Sequence, residues 1–202
     1  MRRLEKIGTL GTTALALAFG AATLAAQTPG PATGEKSESE WNAQKVEAKR
    51  SQIDATAGAA LDKLLKENAN AKDLYDKAYG WAAFDNLKLG FFFSGGGGKG
   101  VAVDKKTNKR TYMDMGSAGF GLAFGGKKYD VVFLFQTQKA FENFVNNGWQ
   151  AQGSASGTAG TAQGGAQTGF VNGMAIYQIS STGLMANVDL TGSKYFKSKD
   201  LN

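Results

Sequence analysis

Two periodicities divide the chain. Between residues 40 and 78 the apolar side chains recur three and four apart, at Ile53, Ala57, Ala60, Leu61, Leu64 and Leu65 and again at Leu74, Tyr75 and Ala78. That spacing places them on one face of an α-helix. Asn68 and Asn70 interrupt the stripe, so the stretch predicts one long helix or two successive helices with a break there. The opposite face carries both charge signs, which favours packing of the apolar face on a sheet over attachment of a basic helix to a membrane.

After Ala78 the period changes to two. Leu87, Leu89, Phe91 and Phe93 alternate with other residues, as do Phe120, Leu122 and Phe124, and Leu184, Ala186, Val188 and Leu190; these are β-strands. The polar and glycine-bearing stretches 104–109 (DKKTNK), 125–128 (GGKK) and 180–183 (SSTG) read as turns, so consecutive strands pair antiparallel. Residues 129–136 (YDVVFLFQ) are apolar on both faces apart from Asp130, which predicts a strand covered on both sides. Thr137 reads as the N-cap of a short helix through Phe141, Phe144 and Val145, ended by Gly148.

In 149–159, Trp149, Ala151, Gly153, Ala155, Gly157 and Ala159 fill alternate places with Gln, Ser and Thr between them. This predicts a strand with a small-residue inner face, as required where a sheet coils tightly. Residues 160–168 form a loop or a bulged continuation of that strand. The fold class is α+β: N-terminal helices packed on a strongly coiled, glycine-rich antiparallel sheet or partial barrel.

The first residues belong to another class of segment. Arg2, Arg3 and Lys6 precede an apolar run from about Leu10 to Leu24, followed by Ala25, Ala26 and the helix breakers Pro29, Gly30 and Pro31. This is the layout of a cleavable secretory signal over residues 1–26. Residues 27–39 read as a flexible polar tether, and 40–202 as one domain, helical to 78 and mainly β from 79. The chain has no Cys, so neither a disulfide nor a thioether lipid anchor can form. The expected location is periplasmic or secreted, without a Cys-linked anchor.

Charge changes the picture modestly. Residues 27–78 hold 8 Lys/Arg against 9 Asp/Glu, and residues 79–202 hold 12 against 7, so the β half is the basic half. That excess suits an anionic partner, and it is equally an ordinary solubility device.

The chemistry is restricted further by the absence of His as well as Cys, which removes the usual general base, the thiol nucleophile and the transition-metal ligands. Asp85, Asp104, Asp114, Asp130, Glu142 and Asp189 are spread singly, without calcium-loop spacing or a close acid/base pair. Neither catalysis, nor a metal, nor a cofactor is expected. Asp130 is read as accepting backbone N–H groups of the preceding GGKK turn.

The stretch 91–103 (FFFSGGGGKGVAV) tests a nucleotide site directly. Aligning a phosphate-binding loop on Gly98-Lys99 puts Phe93 at the first glycine and Gly100 at the hydroxyl position, so both ends fail. Gly95, Gly97 and Gly100 match GxGxxG, but strand residues Val101, Ala102 and Val103 follow where a helix is required. The run reads as a glycine-permissive crossing between strands 87–93 and 100–103, with Lys99 projecting, and neither a nucleotide nor a nucleic acid is an expected partner.

Three ordered glycine-aliphatic blocks carry a resemblance. Residues 93–100 with Gly95, Gly97, Gly98 and Gly100 form the first; Gly119, Phe120 and Gly121 with Gly125 and Asp130 leading into VVFLF form the second; Gly183, Leu184, Leu190 and Gly192 form the third. Together, over about residues 55–196, they resemble the SYLF domain family, a lipid-binding module. The resemblance implies a non-catalytic domain that binds anionic lipids. Eukaryotic members are associated with phosphoinositide membranes and actin, and bacterial members are exported, many of them resembling lipoproteins. This chain departs from that pattern in lacking a Cys after its signal, and in having Asp85-Asn86 where relatives commonly show Phe-Pro.

The candidate lipid contacts are Lys99, Lys105, Lys106, Lys109, Arg110, Lys127 and Lys128, which fall in predicted turns and so could gather at one end of the β structure. Each near-surface charge supplies roughly 1 kcal/mol, screened by salt. Two functions from different classes follow. One is peripheral attachment to an anionic phospholipid surface. The other is a structural or protein-interaction domain of the cell envelope, indifferent to lipid.

Overall fold

A computed structural model describes residues 38–90, 93–120, 125–151, 169–185, 190 and 192–202. The predicted signal, the tether up to residue 37, Phe91, Gly121, Leu122, Phe124, residues 152–168 and Ala186 to Asp189 lie outside the described residues.

Helix α1 (Glu38–Glu67) is 30 residues long, about 45 Å, and buries the predicted stripe at Ile53, Ala57, Ala60, Leu61 and Leu64. The break falls at Asn68, whose side chain accepts from the Ala71 amide at 2.8 Å and so caps the free N–H groups of α2 (Ala69–Lys77). Two hairpins follow through β1 (Gly80–Gly90), β2 (Phe93–Asp104) and β3 (Arg110–Phe120), then β4 (Gly125–Phe135) and α3 (Gln138–Asn147). Thr137 caps α3 by accepting from the Ala140 amide, and Gly148 ends it at φ 73°. The short β5 (Trp149–Gln150), β6 (Met174–Ser180), β7 (Gly183–Leu184) and β8 (Ser193–Lys197) complete an antiparallel, curled half-barrel in the order β5-β8-β3-β2-β1-β4-β6-β7.

Alternation gives this sheet two faces. Ala83, Val101, Val103, Tyr112, Val132, Leu134, Tyr177 and Ile179 meet α1 and α2. Phe84, Met113, Met115, Val131, Phe133, Phe135 and Tyr195 meet α3. Phe133 is the hub of the second layer, with ring centroids 4.9 Å from Phe144, 5.0 Å from Tyr195 and 5.5 Å from Trp149. The strand predicted from its doubly apolar pattern is therefore β4, and Val131 to Phe135 are fully buried. Helix α1 crosses the sheet. Arg50 donates to the Leu201 carbonyl near β8, and Lys63 donates to the Ser180 carbonyl at the β6–β7 turn.

The glycine run corrects the sequence reading. Gly95 to Gly98 are not a crossing but the middle of β2, paired with β1 on one side and β3 on the other. β1 ends at Gly90 and β2 begins at Phe93. Gly125 to Lys128 are likewise part of β4 rather than a turn. The missing Cβ permits close approach within the sheet: a Cβ on Gly100 would lie 2.2 Å from the Ala83 carbonyl oxygen, and one on Gly98 would lie 2.6 Å from that of Asp85.

Candidate functional site

One rung across the α1 face brings four charges together. Asp114 on β3, Lys99 on β2, Asp85 on β1 and Asp130 on β4 are successive cross-strand neighbours, so their side chains share that face. Lys99 Nζ lies 2.6 Å from Asp114 Oδ1, and Lys128 Nζ lies 3.1 Å from Asp85 Oδ2. Burial, and then the charge of Asp85, push the Asp130 carboxyl above its ordinary value, with Lys128 and Lys63 opposing. The expected bonds from Asp130 to the 125–128 amides do not form. Those residues are extended, and four residues of strand span about 13 Å.

Above this rung, α1 and the sheet enclose a cleft of about 480 Å³ whose lining includes Lys49, Gln52, Asp85, Lys99, Asp114 and Phe196. Gly97 and Gly98 form part of its floor. Phe196 is 41% exposed. Beyond the cleft, β1 to β4 continue past the cover of α1 as a flap. There Leu87 and Leu89 are 46% and 56% exposed, beside Gly95, Gly97 and Gly126, with Leu87 opposite Lys128 in register. Lys127 and Lys128 are exposed.

The predicted basic residues are not gathered at one end. Lys105, Lys106, Lys109 and Arg110 lie at the β2–β3 turn, whereas Lys127 and Lys128 lie toward the other end of the sheet; Trp81 to Leu87, six residues along β1, is about 20 Å. The division arises because the GGKK stretch extends β4 instead of turning.

The two groups also differ in what holds them. Lys105 Nζ donates to the Tyr75 and Ala78 carbonyls and sits over the Tyr75 ring; burial lowers its pKa. Arg110 pairs with Asp54 at 3.4 Å. Asp104 organises the turn by accepting from the Lys106 and Thr107 amides and from the Tyr79 hydroxyl at 2.6 Å. That last bond, foremost, holds the Asp104 carboxyl below its ordinary value and pushes Tyr79 up to about 12. Lys106 and Lys109 are exposed.

The remaining singled-out glycines are scaffold positions. Gly119 and Gly125 sit near the flap ends of β3 and β4. Gly183 (φ 117°) and Gly192 (φ 72°) adopt left-handed backbone, and a Cβ on Gly192 would lie 2.1 Å from the Ala118 carbonyl oxygen. Sequence reasoning missed Lys49, Gln52 and Phe196. No local motif marks them, because the cleft exists only where α1 lies over strands far from it in the chain.

Among the described residues no helix is long and apolar enough to cross a membrane, and no group of three or more His, Cys, Asp or Glu could hold a metal.

Comparison with known proteins adds a family. The model of Ysc84, described as Las17-binding protein actin regulator, matches residues 116–202. Beta cell expansion factor A of Aeromonas veronii is 41% identical over 160 residues, covering 79% of this chain and 61% of that protein. LAS seventeen-binding protein 3 of Saccharomyces cerevisiae (strain YJM789) is 31% identical over 140 residues, 64% of this chain and 30% of the relative. Protein YSC84 of Saccharomyces cerevisiae (strain ATCC 204508 / S288c) is 31% identical over 137 residues, 62% and 29% respectively. The chain thus spans less than two thirds of the length of each of these relatives. Residues 116–202 thus match the Ysc84 (SYLF) family, and Beta cell expansion factor A and the two yeast proteins are members of it.

Proposed function

We propose that this is an exported, non-catalytic domain that attaches peripherally to anionic phospholipid surfaces, and that it does so through the flap. The observation that carries the reading is that exposed Leu87 and Leu89 share one face with exposed Lys128, which lies opposite Leu87 in register, while exposed Lys127 lies on the reverse face of the same end of the sheet. A leucine side chain taken from water into an apolar phase contributes about 1.5–3 kcal/mol, and a near-surface lysine roughly 1 kcal/mol on an anionic leaflet. The two together support reversible binding, which neither supports alone. Lys106 and Lys109, at the opposite turn, have exposed charge without an exposed large apolar side chain beside them. Export rests on the signal layout of residues 1–26.

Co-sedimentation with vesicles tests this. Pelleting with phosphatidylcholine containing phosphatidylglycerol, but not with phosphatidylcholine alone, is expected at low ionic strength, weakening at about 0.5 M salt. Lys127→Glu with Lys128→Glu should abolish it, and Lys106→Glu with Lys109→Glu should leave most of it. Protein that stays in the supernatant throughout overturns the reading.

The names of the yeast relatives, LAS seventeen-binding protein 3 among them, support a second reading: a protein-interaction or structural domain of the cell envelope. Its mark is capture of one protein partner by the unaltered chain, unaffected by anionic vesicles.

A further inference from the structure

The cleft beneath α1 contains charges of both signs, arranged on different walls. The floor carries Asp114, Lys99 and Asp85 as direct cross-strand neighbours. The helix wall carries Lys49 and Gln52, and Lys49 has no carboxylate partner among the described residues. Asp114 and Asp85 each already accept one lysine. Both carboxylates are partly open, with side chains 23% and 32% exposed, and an ionised carboxylate accepts more than one donor.

A purely anionic guest would meet two carboxylates here, and a purely cationic one would meet Lys49 and Lys99. The complement of such a site is a molecule that carries both signs a few bonds apart. An exposed aromatic wall at Phe196 and a glycine floor suit a short hydrocarbon link that lies close to the backbone.

We propose that this cleft binds a phosphate ester bearing a protonated primary amine, with the phosphate held by Lys49, Gln52 and Lys99 and the ammonium donating to Asp85 and Asp114. The inference rests on the lipid reading above only in the source of the ligand. Asp85, Leu87 and Leu89 alternate along one face of β1, so the cleft opens on the same face as the membrane-facing leucines, where an aminophospholipid headgroup could enter it. The free phosphoamine carries the same chemistry. A quaternary amine lacks the N–H donors that the two carboxylates require, so phosphocholine is the discriminating control.

The test has a soluble arm and a vesicle arm, both on the full chain. In calorimetric titrations, O-phosphoethanolamine should bind at least about tenfold tighter than phosphocholine or glycerol 3-phosphate, the size of one charge-assisted hydrogen bond. Asp85→Asn with Asp114→Asn should remove that preference, and Lys49→Gln should weaken all three phosphate esters. Amide resonances of the cleft should shift with O-phosphoethanolamine. Equal binding of the three esters, no binding of any, or a preference that survives the double Asn variant overturns the proposal.

In the vesicle arm, phosphatidylethanolamine added to phosphatidylcholine should increase binding, and the double Asn variant should lose this increment without weakening phosphatidylglycerol-dependent binding. Soluble binding without the vesicle increment supports the cleft with the free phosphoamine as its ligand. Failure of phosphatidylglycerol-dependent binding alone sinks the flap reading and leaves the soluble result standing.

Discussion

The two ends of the central sheet share one hydrogen-bonded ladder and differ in almost everything else. Where Gly80 meets Phe135 and Asp104, helices cover both faces, and Phe84, Phe133, Phe135 and Phe144 are buried against one another. At the other end the ladder of β1 with β2 continues from Leu87–Gly97 to Gly90–Ser94, with glycines where the first end has rings and with leucines open to solvent. The contrast separates two contributions. Backbone pairing can propagate a strand well beyond its core, but side-chain burial supplies most of the stability. The flap therefore has surface to spare for binding.

Phe133→Ala should cost most, about 4 kcal/mol, read as a lower urea midpoint; a loss below about 1 kcal/mol would mean that the aromatic layer is not the stabilising end. Leu87→Ala at the flap is the matched control and should change stability by no more than about 0.5 kcal/mol. Within β2, Gly100→Ala should cost about 3 kcal/mol by forcing a Cβ into the Ala83 carbonyl and the Phe84 ring. Gly97→Ala, whose Cβ would meet nothing nearer than 3.7 Å, should change stability by no more than about 0.5 kcal/mol. If the two glycine variants behave alike, the alternation of roles along the run is wrong.

The smallest expected effects are those of two carboxyls with opposite signs. Asp104, held low chiefly by the Tyr79 hydroxyl, contributes stability at neutral pH that is lost as pH falls through its lowered folded value. Asp130, raised chiefly by burial, is unfavourable when ionised; its cost is present above the raised folded value and disappears as pH falls toward the unfolded one. Thermal melts from pH 7 to about pH 3 should show Asp104→Asn less stable than the parent at pH 7, with the difference closing on acidification. Asp130→Asn should be more stable at pH 7, with that gain also closing. A gain for Asp130→Asn that persists at the acid end would contradict burial of its charge as the cause.

Much of the architecture was legible in residue order. The stripe from Ile53 to Leu64, the cap at Thr137 and the doubly apolar run before Gln136 each specify a local structure and a burial state, because helical and strand periodicity map directly onto faces. The glycine run was misread for a physical reason. A missing Cβ signals both a turn and a close approach, and only the neighbouring strand, with the Ala83 carbonyl and Phe84 ring over Gly100, distinguishes them. The basic residues read as clustered in turns at one end are separated in the fold, since their separation follows from the length of β4, and Lys105 is partly buried.

By itself, then, the sequence determined the two-part α+β organisation, the helical break at Asn68, the strand covered on both faces, the absence of His and Cys chemistry, and the resemblance to the SYLF family through ordered glycine blocks. Those are properties of composition and of contacts within a few residues. The tertiary structure alone decided that Gly95 to Gly98 lie within a strand, that Leu87 and Leu89 remain exposed beside Lys128, and that Lys49 faces Asp85 and Asp114 across a cleft. Each of these depends on which distant segments the fold brings into register, and no local pattern encodes that placement.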